Sequence, residues 1–329
     1  MKRLIEIVRN FADRRIVVIG DAIADQFLHG NISRVSREAP VFILKHEQTQ
    51  TVPGGAANCA MNLASLGARV SLISVVGDDV AGRELRAKLE ATGVDVSGIN
   101  VSDKIQTTTK VRILAGQTHS NKQQVIRIDY EDADLGDHPV REAILDALKS
   151  ALPATNAVII SDYNYGVADD HTVSFIRESC SKPVLVDSRF DLLQFTDFTA
   201  ATPNEDEVEH LLGRSIESAD DLELAAKSLK DKLGHRALLV TRGPQGMMLL
   251  EGDEAPLYIP AVGSQQAVDV TGAGDTVIAT FALAVASGAS FADSARLANH
   301  AGGLVVMKRG TATVSVAELE HSILNAEND

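Results

Sequence analysis

Short β-branched runs that alternate with helical patterns constrain the fold of this chain more than any other feature. From Pro139 onward, strand-like runs at Ala157 to Ser161, Pro183 to Asp187, Thr199 to Thr202 and Ala237 to Thr241 are separated by helical patterns. Those patterns cover about Asp170 to Cys180, Glu205 to Leu212, Asp220 to Leu233, Ala273 to Ser287 and Phe291 to Val306. Apolar strands spaced by helices imply βαβ units and a mostly parallel sheet with helices on both faces. The first part of the chain follows the same rule. Leu4, Ile5, Ile7, Val8 and Phe11 lie at helical spacing, Arg15 to Gly20 and Val70 to Val76 read as buried strands, and Ala56 to Leu66 and Val80 to Thr92 read as helices. Two pieces break the pattern. Gln26 to Lys45 mixes β-prone stretches with turn residues, and Thr107 to Leu114 with Gln123 to Asp129 alternates as in a half-exposed antiparallel pair. They predict a small β-lid over one edge of the sheet, inserted at about residues 24–50 and 105–130. With no repeat, low-complexity tract or linker, the expectation is one α/β domain over residues 1–329.

Charge and cysteine content narrow the function. A net charge of −14 argues against nucleic acid or an anionic membrane as partner. An anionic substrate then has to be held by local cations against an unfavourable global field. The two cysteines, Cys59 and Cys180, have no metal-ligand spacing, which speaks against a disulfide framework and a zinc site. Met1 to Arg15 carries charge throughout with no secretory apolar core, and no apolar run approaches the roughly 18 residues of a membrane span. The expected location is the cytoplasm.

The most informative local feature is Gly272-Ala273-Gly274-Asp275, followed by small and apolar residues through Ala286. Glycines permit a tight turn, and the first N–H groups of the helix it opens attract negative charge. Asp275 in that turn suits a base for a hydroxyl about to attack phosphorus; Thr271 or Asp275 as a plain helix cap is the competing reading. Pro53-Gly54-Gly55-Ala56-Ala57-Asn58 opens another helix, allows close approach of a second molecule, and offers the Asn58 amide one turn in. It also reads as a tight turn with close packing. Asn204 and Glu207 follow a strand and lie on the first turn of a helix, where they can order water around Mg²⁺ or simply form an N-cap with an acidic first turn. Thr241-Arg242-Gly243-Pro244-Gln245-Gly246 ends a strand in a hairpin turn that can meet a nucleotide phosphate or ribose. Neither a G-x-G-x-x-G fingerprint nor a Gly-Lys-Ser/Thr sequence occurs, which disfavours a Rossmann dehydrogenase and a P-loop NTPase.

Taken in order, Gly20-Asp21, Gly54-Gly55 with Asn58, Asn204 with Glu207, Thr241-Arg242-Gly243, and Asp269-x-Thr271-Gly272-Ala273-Gly274-Asp275 resemble the PfkB (ribokinase-like) sugar kinases. The resemblance runs over essentially the whole chain. Ser33 to Pro40, Pro53 to Ala64 and Asp269 to Ile278 look most like the D-glycero-D-manno-heptose 7-phosphate kinases of ADP-heptose and lipopolysaccharide-core synthesis. The resemblance implies a ribokinase-like fold, ATP and Mg²⁺, phosphorylation of the anomeric hydroxyl of the heptose phosphate, and a β-lid that builds a homodimer. It implies Asp275 as base, Gly272, Ala273 and Gly274 as anion hole, and Asp21 and Asn58 on sugar hydroxyls. Asn204, Glu207, Thr241, Arg242, Gly243, Gly246 and Asn299 fall to the nucleotide and its metal, and Asp269 and Thr271 to a monovalent cation such as K⁺ or to turn structure. Asp25, Gly54, Gly55, Lys110, Arg112, Arg127 and Arg189 are candidates for gripping the sugar and any phosphate on it, with a solvated lid surface as the alternative for the charged ones. A nucleotidyl-transferring domain often follows such a kinase; with Asp329 as its last residue, the chain is expected to lack one.

Two departures bear on the acceptor. Asp162-Tyr163-Asn164-Tyr165-Gly166 has tyrosine where the family usually has lysine, and Asp187-Ser188-Arg189 replaces Asp-Pro-Lys. Arg189 can still clamp a phosphate bidentately, whereas Tyr165 carries no cation at neutral pH. Another sugar or sugar phosphate, such as a ketose phosphate, ribose or a keto-deoxy sugar acid, remains an alternative, as does a non-catalytic sugar-binding relative.

Overall fold

The computed structural model describes residues 2–117, 122–131, 135, 138–263 and 266–326. Among these, the strands are β1 Arg15–Gly20, β2 Ala22–Val35, β3 Phe42–Gly55, β4 Arg69–Gly77, β5 Ile99–Ser102, β6 Thr109–Gly116, β7 Gln123–Tyr130, β8 Ala157–Asp162, β9 Val184–Ser188, β10 Ala200–Ala201, β11 Ala237–Thr241, β12 Met247–Glu251 and β13 Leu257–Ile259. The helices are α1 Lys2–Arg9, α2 Ala56–Ser65, α3 Val80–Ala91, α4 His138–Ala151, α5 Asp170–Ser179, α6 Glu205–Leu212, α7 Ala219–Leu233, α8 Ala273–Ala286, α9 Phe291–Val305 and α10 Val316–Asn325.

The main sheet runs β13-β12-β11-β10-β9-β8-β1-β4-β5. It is parallel from β11 to β5, while β12 and β13 add an antiparallel edge. Strands β1 and β8 are buried almost end to end, as strands covered on both faces must be. One face packs on α1, α2, α3, α8, α9 and α10, and the other on α4, α5, α6 and α7. Helix α8 is buried from Asp275 through Ala284, which its small and apolar residues permit on every side. Phe281 lies fully buried at its centre, and truncating such a ring to alanine typically costs about 3–5 kcal/mol.

The lid is a separate four-stranded sheet, β3-β2-β6-β7. It departs from expectation in two ways. Strands β2 and β3 run from Ala22 to Gly55, longer than the expected 24–50, because β2 leaves β1 almost without a loop and β3 feeds straight into α2. Its central pair, β2 with β6, is parallel, since β4 and α3 separate the two hairpins in the chain. Residues 118–121 of the expected lid lie outside the described residues. Periodicity does not single out helices α4 and α10 or strands β5, β12 and β13. The edge strands are short, and α10 is set by the Ser315–Glu318 capping box.

Parallel strands bring their carboxyl ends to one side, and loops there build sites in open α/β sheets. Here Gly20-Asp21, Tyr163, Arg189, Asn204 and Arg242 all follow such ends.

Candidate active site

Asp275 is the third residue of α8, whose N-cap is Gly272 with φ of 76°. It is 4% exposed, and each of its carboxylate oxygens accepts one hydrogen bond. The Asn58 amide donates to Oδ2 at 2.7 Å, and the Tyr163 hydroxyl donates to Oδ1 at 3.1 Å. Burial pushes its pKa up to about 7, against the lowering effect of those two donors; the Asp25 charge raises it further and Arg189 lowers it. Such a carboxyl changes charge near neutral pH, as a general base needs to. Gly272 must lack a side chain: a Cβ there would lie 2.5 Å from the Asn58 amide nitrogen, at a φ that L residues rarely adopt.

Asn58 is held in turn. The Asn62 amide donates to Asn58 Oδ1 at 3.2 Å, and the Thr276 hydroxyl donates to Asn62 Oδ1 at 2.9 Å. Thus α2 and α8 present their first turns to each other through a buried polar network. Sequence reasoning does not single out Asn62, Thr276 or Tyr163 for a role here; the four-residue spacing of Asn58 and Asn62 on a small-residue helix is the signal that could have found the first.

Asp21, expected on sugar hydroxyls, has its carboxylate taken up by backbone. Oδ2 accepts from the N–H groups of Tyr163 and Tyr165 at 2.8 and 3.1 Å, and Oδ1 from Val167 at 3.3 Å. It pins the loop that carries Tyr163. Burial raises its pKa to about 6 despite those donors.

The lid supplies charge from its inward face. Asp25, Lys110 and Asp129 are register partners across β2, β6 and β7, and Arg112 partners Arg127 two positions on. Arg112 forms an ion pair with Asp25, and both are largely buried. Gly54 is what lets Asp25 sit there, since a Cβ on Gly54 would meet its Oδ2 at 2.5 Å. Gly55 is the N-cap residue of α2, with φ of 56°. Arg127 pairs with Asp129 at 2.8 Å and is half exposed. The Lys110 ammonium lies 5.9 and 5.6 Å from the ring centroids of Tyr163 and Tyr165, and burial, then the Arg189 charge, lower its pKa. Arg189 projects from the end of β9 and stacks its guanidinium over Phe190.

On the far side of the α8 N-terminus lies a cavity of about 260 Å³. Thr241, Gly243, Gly246, Ala273, Gly274 and Asn299 help to line it, with apolar walls from Val262, Val277 and Val306. Its wall at Ala273 and Gly274 directly precedes Asp275 on α8. The Asn299 amide donates to the Pro260 carbonyl at 2.7 Å and so fixes one wall. Arg242 is not among the lining residues; its guanidinium pairs with Glu205 at 2.8 Å and stacks on Tyr258.

Asn204 and Glu207 form a full capping box, each side chain accepting the other's backbone N–H, at 2.8 and 2.9 Å. Glu207 keeps one oxygen beyond that box. Burial raises its pKa, and the half-buried Asp187 nearby is pushed well above the carboxylate range by desolvation, Glu207 and Asp275. A bound cation would relieve that repulsion, so these residues fit a hydrated Mg²⁺. Sequence reasoning notes the Asp187 segment only for Arg189. Asp269 accepts from the backbone N–H groups of Thr271 and Gly310 at 3.0 and 2.9 Å, which hold its pKa low against burial and tie two loops together.

The sequence profile of the pfkB family carbohydrate kinases matches residues 13–318. The chain is 40% identical over 316 residues to "Bifunctional protein HldE" of Edwardsiella ictaluri, covering 95% of this chain and 64% of that protein. It is 39% identical over 317 residues to the protein of the same name from Photobacterium profundum, again covering 95% and 64%. The chain thus spans under two thirds of the length of these relatives. Similar folds occur in Arabidopsis thaliana ribokinase complexed with ribose and ATP (TM-score 0.72, 22% identity, 94% of this chain and 98% of that one) and in Escherichia coli phosphofructokinase-2 in complex with potassium (TM-score 0.78, 18% identity, 95% and 99%). Among the described residues, no helix is long and apolar enough to cross a membrane.

Proposed function

Since the chain belongs to the pfkB family of carbohydrate kinases, we propose that it transfers the γ-phosphoryl group of ATP to a hydroxyl of a phosphorylated sugar. The acceptor we assign is D-glycero-D-manno-heptose 7-phosphate, at its anomeric hydroxyl. One observation carries the reading: a buried carboxyl with pKa of about 7 at a helix N-terminus, between an apolar cavity and a cationic lid face. Asp275 takes the proton of the attacking hydroxyl. The N–H groups of Gly272 and Gly274 receive charge developing on the phosphoryl oxygens, which is the main demand of this chemistry; that of Ala273, expected to join them, donates to the Val270 carbonyl at 3.2 Å and closes the turn. Mg²⁺, held through water by Asn204 and Glu207, supplies charge neutralisation to the ATP phosphates. The cavity takes the adenosine end, with Thr241, Gly243, Gly246 and Asn299 around it. Lys110 and Arg189 approach the region of Asp275 from the lid and from the sheet, and neither forms an ion pair among the described residues, which suits a second anionic group on the acceptor. Asp269 and Thr271 we assign to loop structure in place of a K⁺ site, because backbone N–H groups already engage both Asp269 oxygens.

The outer face of the lid supports a homodimer. Ile126, Ile128 and Tyr130 alternate with the inward Arg127 and Asp129, and they are 52%, 39% and 48% exposed. An apolar sheet face of this kind is covered most simply by a second copy about a twofold axis. The cytoplasm, where ATP is abundant, is the location that fits this activity.

A coupled ADP-release assay over sugars and sugar phosphates tests the assignment. Turnover confined to heptose 7-phosphate supports it, turnover on another acceptor reassigns the substrate, and sugar binding without any ATP turnover removes the enzyme reading.

A further inference from the structure

Tyr163 touches both the candidate base and the lid. Its hydroxyl donates to Asp275 Oδ1 at 3.1 Å, while its ring lies under the Lys110 ammonium at 5.9 Å. Its backbone N–H is fixed by Asp21 at 2.8 Å. The second ring under Lys110 belongs to Tyr165, whose hydroxyl bonds to Glu131 at the foot of β7 and whose pKa is pushed up to about 12 by burial and that carboxylate. The ring pair therefore stays neutral and seats a cation. We propose that Tyr163 is a positioning residue that couples the lid to the base: it orients the Asp275 carboxylate through its hydroxyl and takes Lys110 of β6 on its ring. The proposal rests on the reading of Asp275 as base.

The physical link has two steps. A hydrogen bond to an ionised carboxylate stabilises the charged form, so the tyrosine donor holds Asp275 ready as an acceptor of protons and fixes the direction of its free lone pairs. A cation over the ring draws electron density from it and makes the phenol O–H a stronger donor, so the lysine acts on the base through the tyrosine. The other groups facing Asp275 do not duplicate this. Asn58 on α2 holds the opposite oxygen; Asp25 on β2 opposes its charge but is itself paired with Arg112; Arg189 after β9 favours the charged form; and among the described residues neither Asp187 on β9 nor the buried Cys59 thiol on α2 is hydrogen-bonded to it. Lys110 itself faces Arg189, Arg127, Asp129 and Asp25.

The test reads the Asp275 carboxyl directly. In full-length protein labelled with ¹³C at aspartate carboxyl carbons, the Asp275 resonance is identified by its loss in Asp275→Asn and followed against pH. Tyr163→Phe is expected to move its midpoint up by about one pH unit, and Lys110→Met to move it up by less, in the same direction. The acid limb of kcat/KM, measured with ATP and heptose 7-phosphate, should move with it, while KM for ATP stays within about twofold of wild type. An unmoved midpoint in Tyr163→Phe overturns the proposal, even if Asp275→Asn abolishes turnover and so leaves the base assignment standing. A Lys110→Met midpoint equal to wild type removes the lid from it. If Asp275→Asn keeps full turnover, the base reading itself fails, and the resonance still reports the Tyr163 contact.

Discussion

Asn58 and Asp275 stand 217 residues apart in the chain, and the Asn58 amide donates to the Asp275 carboxylate at 2.7 Å. That bond ties the first turns of α2 and α8, which carry the two glycine-opened helix starts. Its cause is close approach. Alanines at 56, 57, 60 and 273 and the absence of a side chain at Gly272 let the helix ends meet, and the polar groups trapped between them then satisfy one another. One consequence is a carboxyl that is deeply buried yet hydrogen-bonded once at each oxygen, a combination that moves its pKa to neutrality and leaves lone pairs for a proton.

The base assignment makes a sharp kinetic expectation. Asp275→Asn keeps the size and the Asn58 contact but cannot take a proton, so turnover should fall by about 10²–10⁴. Affinity for ATP, seated across Ala273 and Gly274, should change little. Steady-state ADP release and nucleotide titration check the two halves separately, and undiminished turnover would dispose of Asp275 as base.

Two pH dependences follow from the raised carboxyl pKa values, and they run in opposite directions. Activity needs ionised Asp275, so kcat/KM should rise with pH through about 7. Stability should do the reverse. Asp275 and Asp21 have folded pKa values of about 7 and about 6, above the 3.8 of an unperturbed aspartate, so the folded state binds protons more tightly than the unfolded one. Their favourable contribution is complete below about pH 4 and is lost as pH rises through 6 and 7. Asp275→Asn should therefore raise Tm more at pH 8 than at pH 5, by the equivalent of about 2–4 kcal/mol at the higher pH. Thermal unfolding at the two pH values decides it; an equal effect at both would mean that the carboxyl is not strained by burial.

Gly272→Ala tests the close approach. The new methyl would lie 2.5 Å from the Asn58 amide at a φ of 76°, so either the α8 N-terminus or Asn58 must shift. The expected cost is about 1–3 kcal/mol in denaturant unfolding, together with a loss of turnover larger than any rise in KM for ATP. A variant as stable and as active as wild type would show that the turn is free to relax.

Much of this arrangement was legible from residue order because local rules agree with the fold. The β-branched runs became the central strands, and the Asp269–Asp275 segment became the start of a buried helix, as its glycines and the small residues after it required. What the sequence did not reveal is what depends on meeting across distance. Nothing local says that the Asp21 carboxylate will be consumed by three N–H groups more than 140 residues away, or that Arg242 will turn to Glu205. Tyr163 stands two residues before the departure at Tyr165, and nothing local marks it as reaching Asp275. The parallel pairing of β2 with β6 was hidden for the same reason, since each hairpin by itself is compatible with an antiparallel lid.

The nucleotide side of the site has its own test in Asn299. Its amide donates to the Pro260 carbonyl at 2.7 Å, and Ala261 and Val262, the next two residues, line the cavity. The wall has little room on its other side, because the Val262 carbonyl lies against Gly303, where no Cβ would fit. Asn299→Ala leaves the Pro260 carbonyl without that donor and frees the wall to move away from the nucleotide. One neutral hydrogen bond of this kind is worth about 1 kcal/mol, so KM for ATP should rise about fivefold. The proton transfer at Asp275, on the other side of the α8 N-terminus, should proceed as before, leaving kcat within about twofold. The opposite pattern, a fall in kcat at unchanged KM for ATP, would place Asn299 with the chemistry and not with the cavity wall.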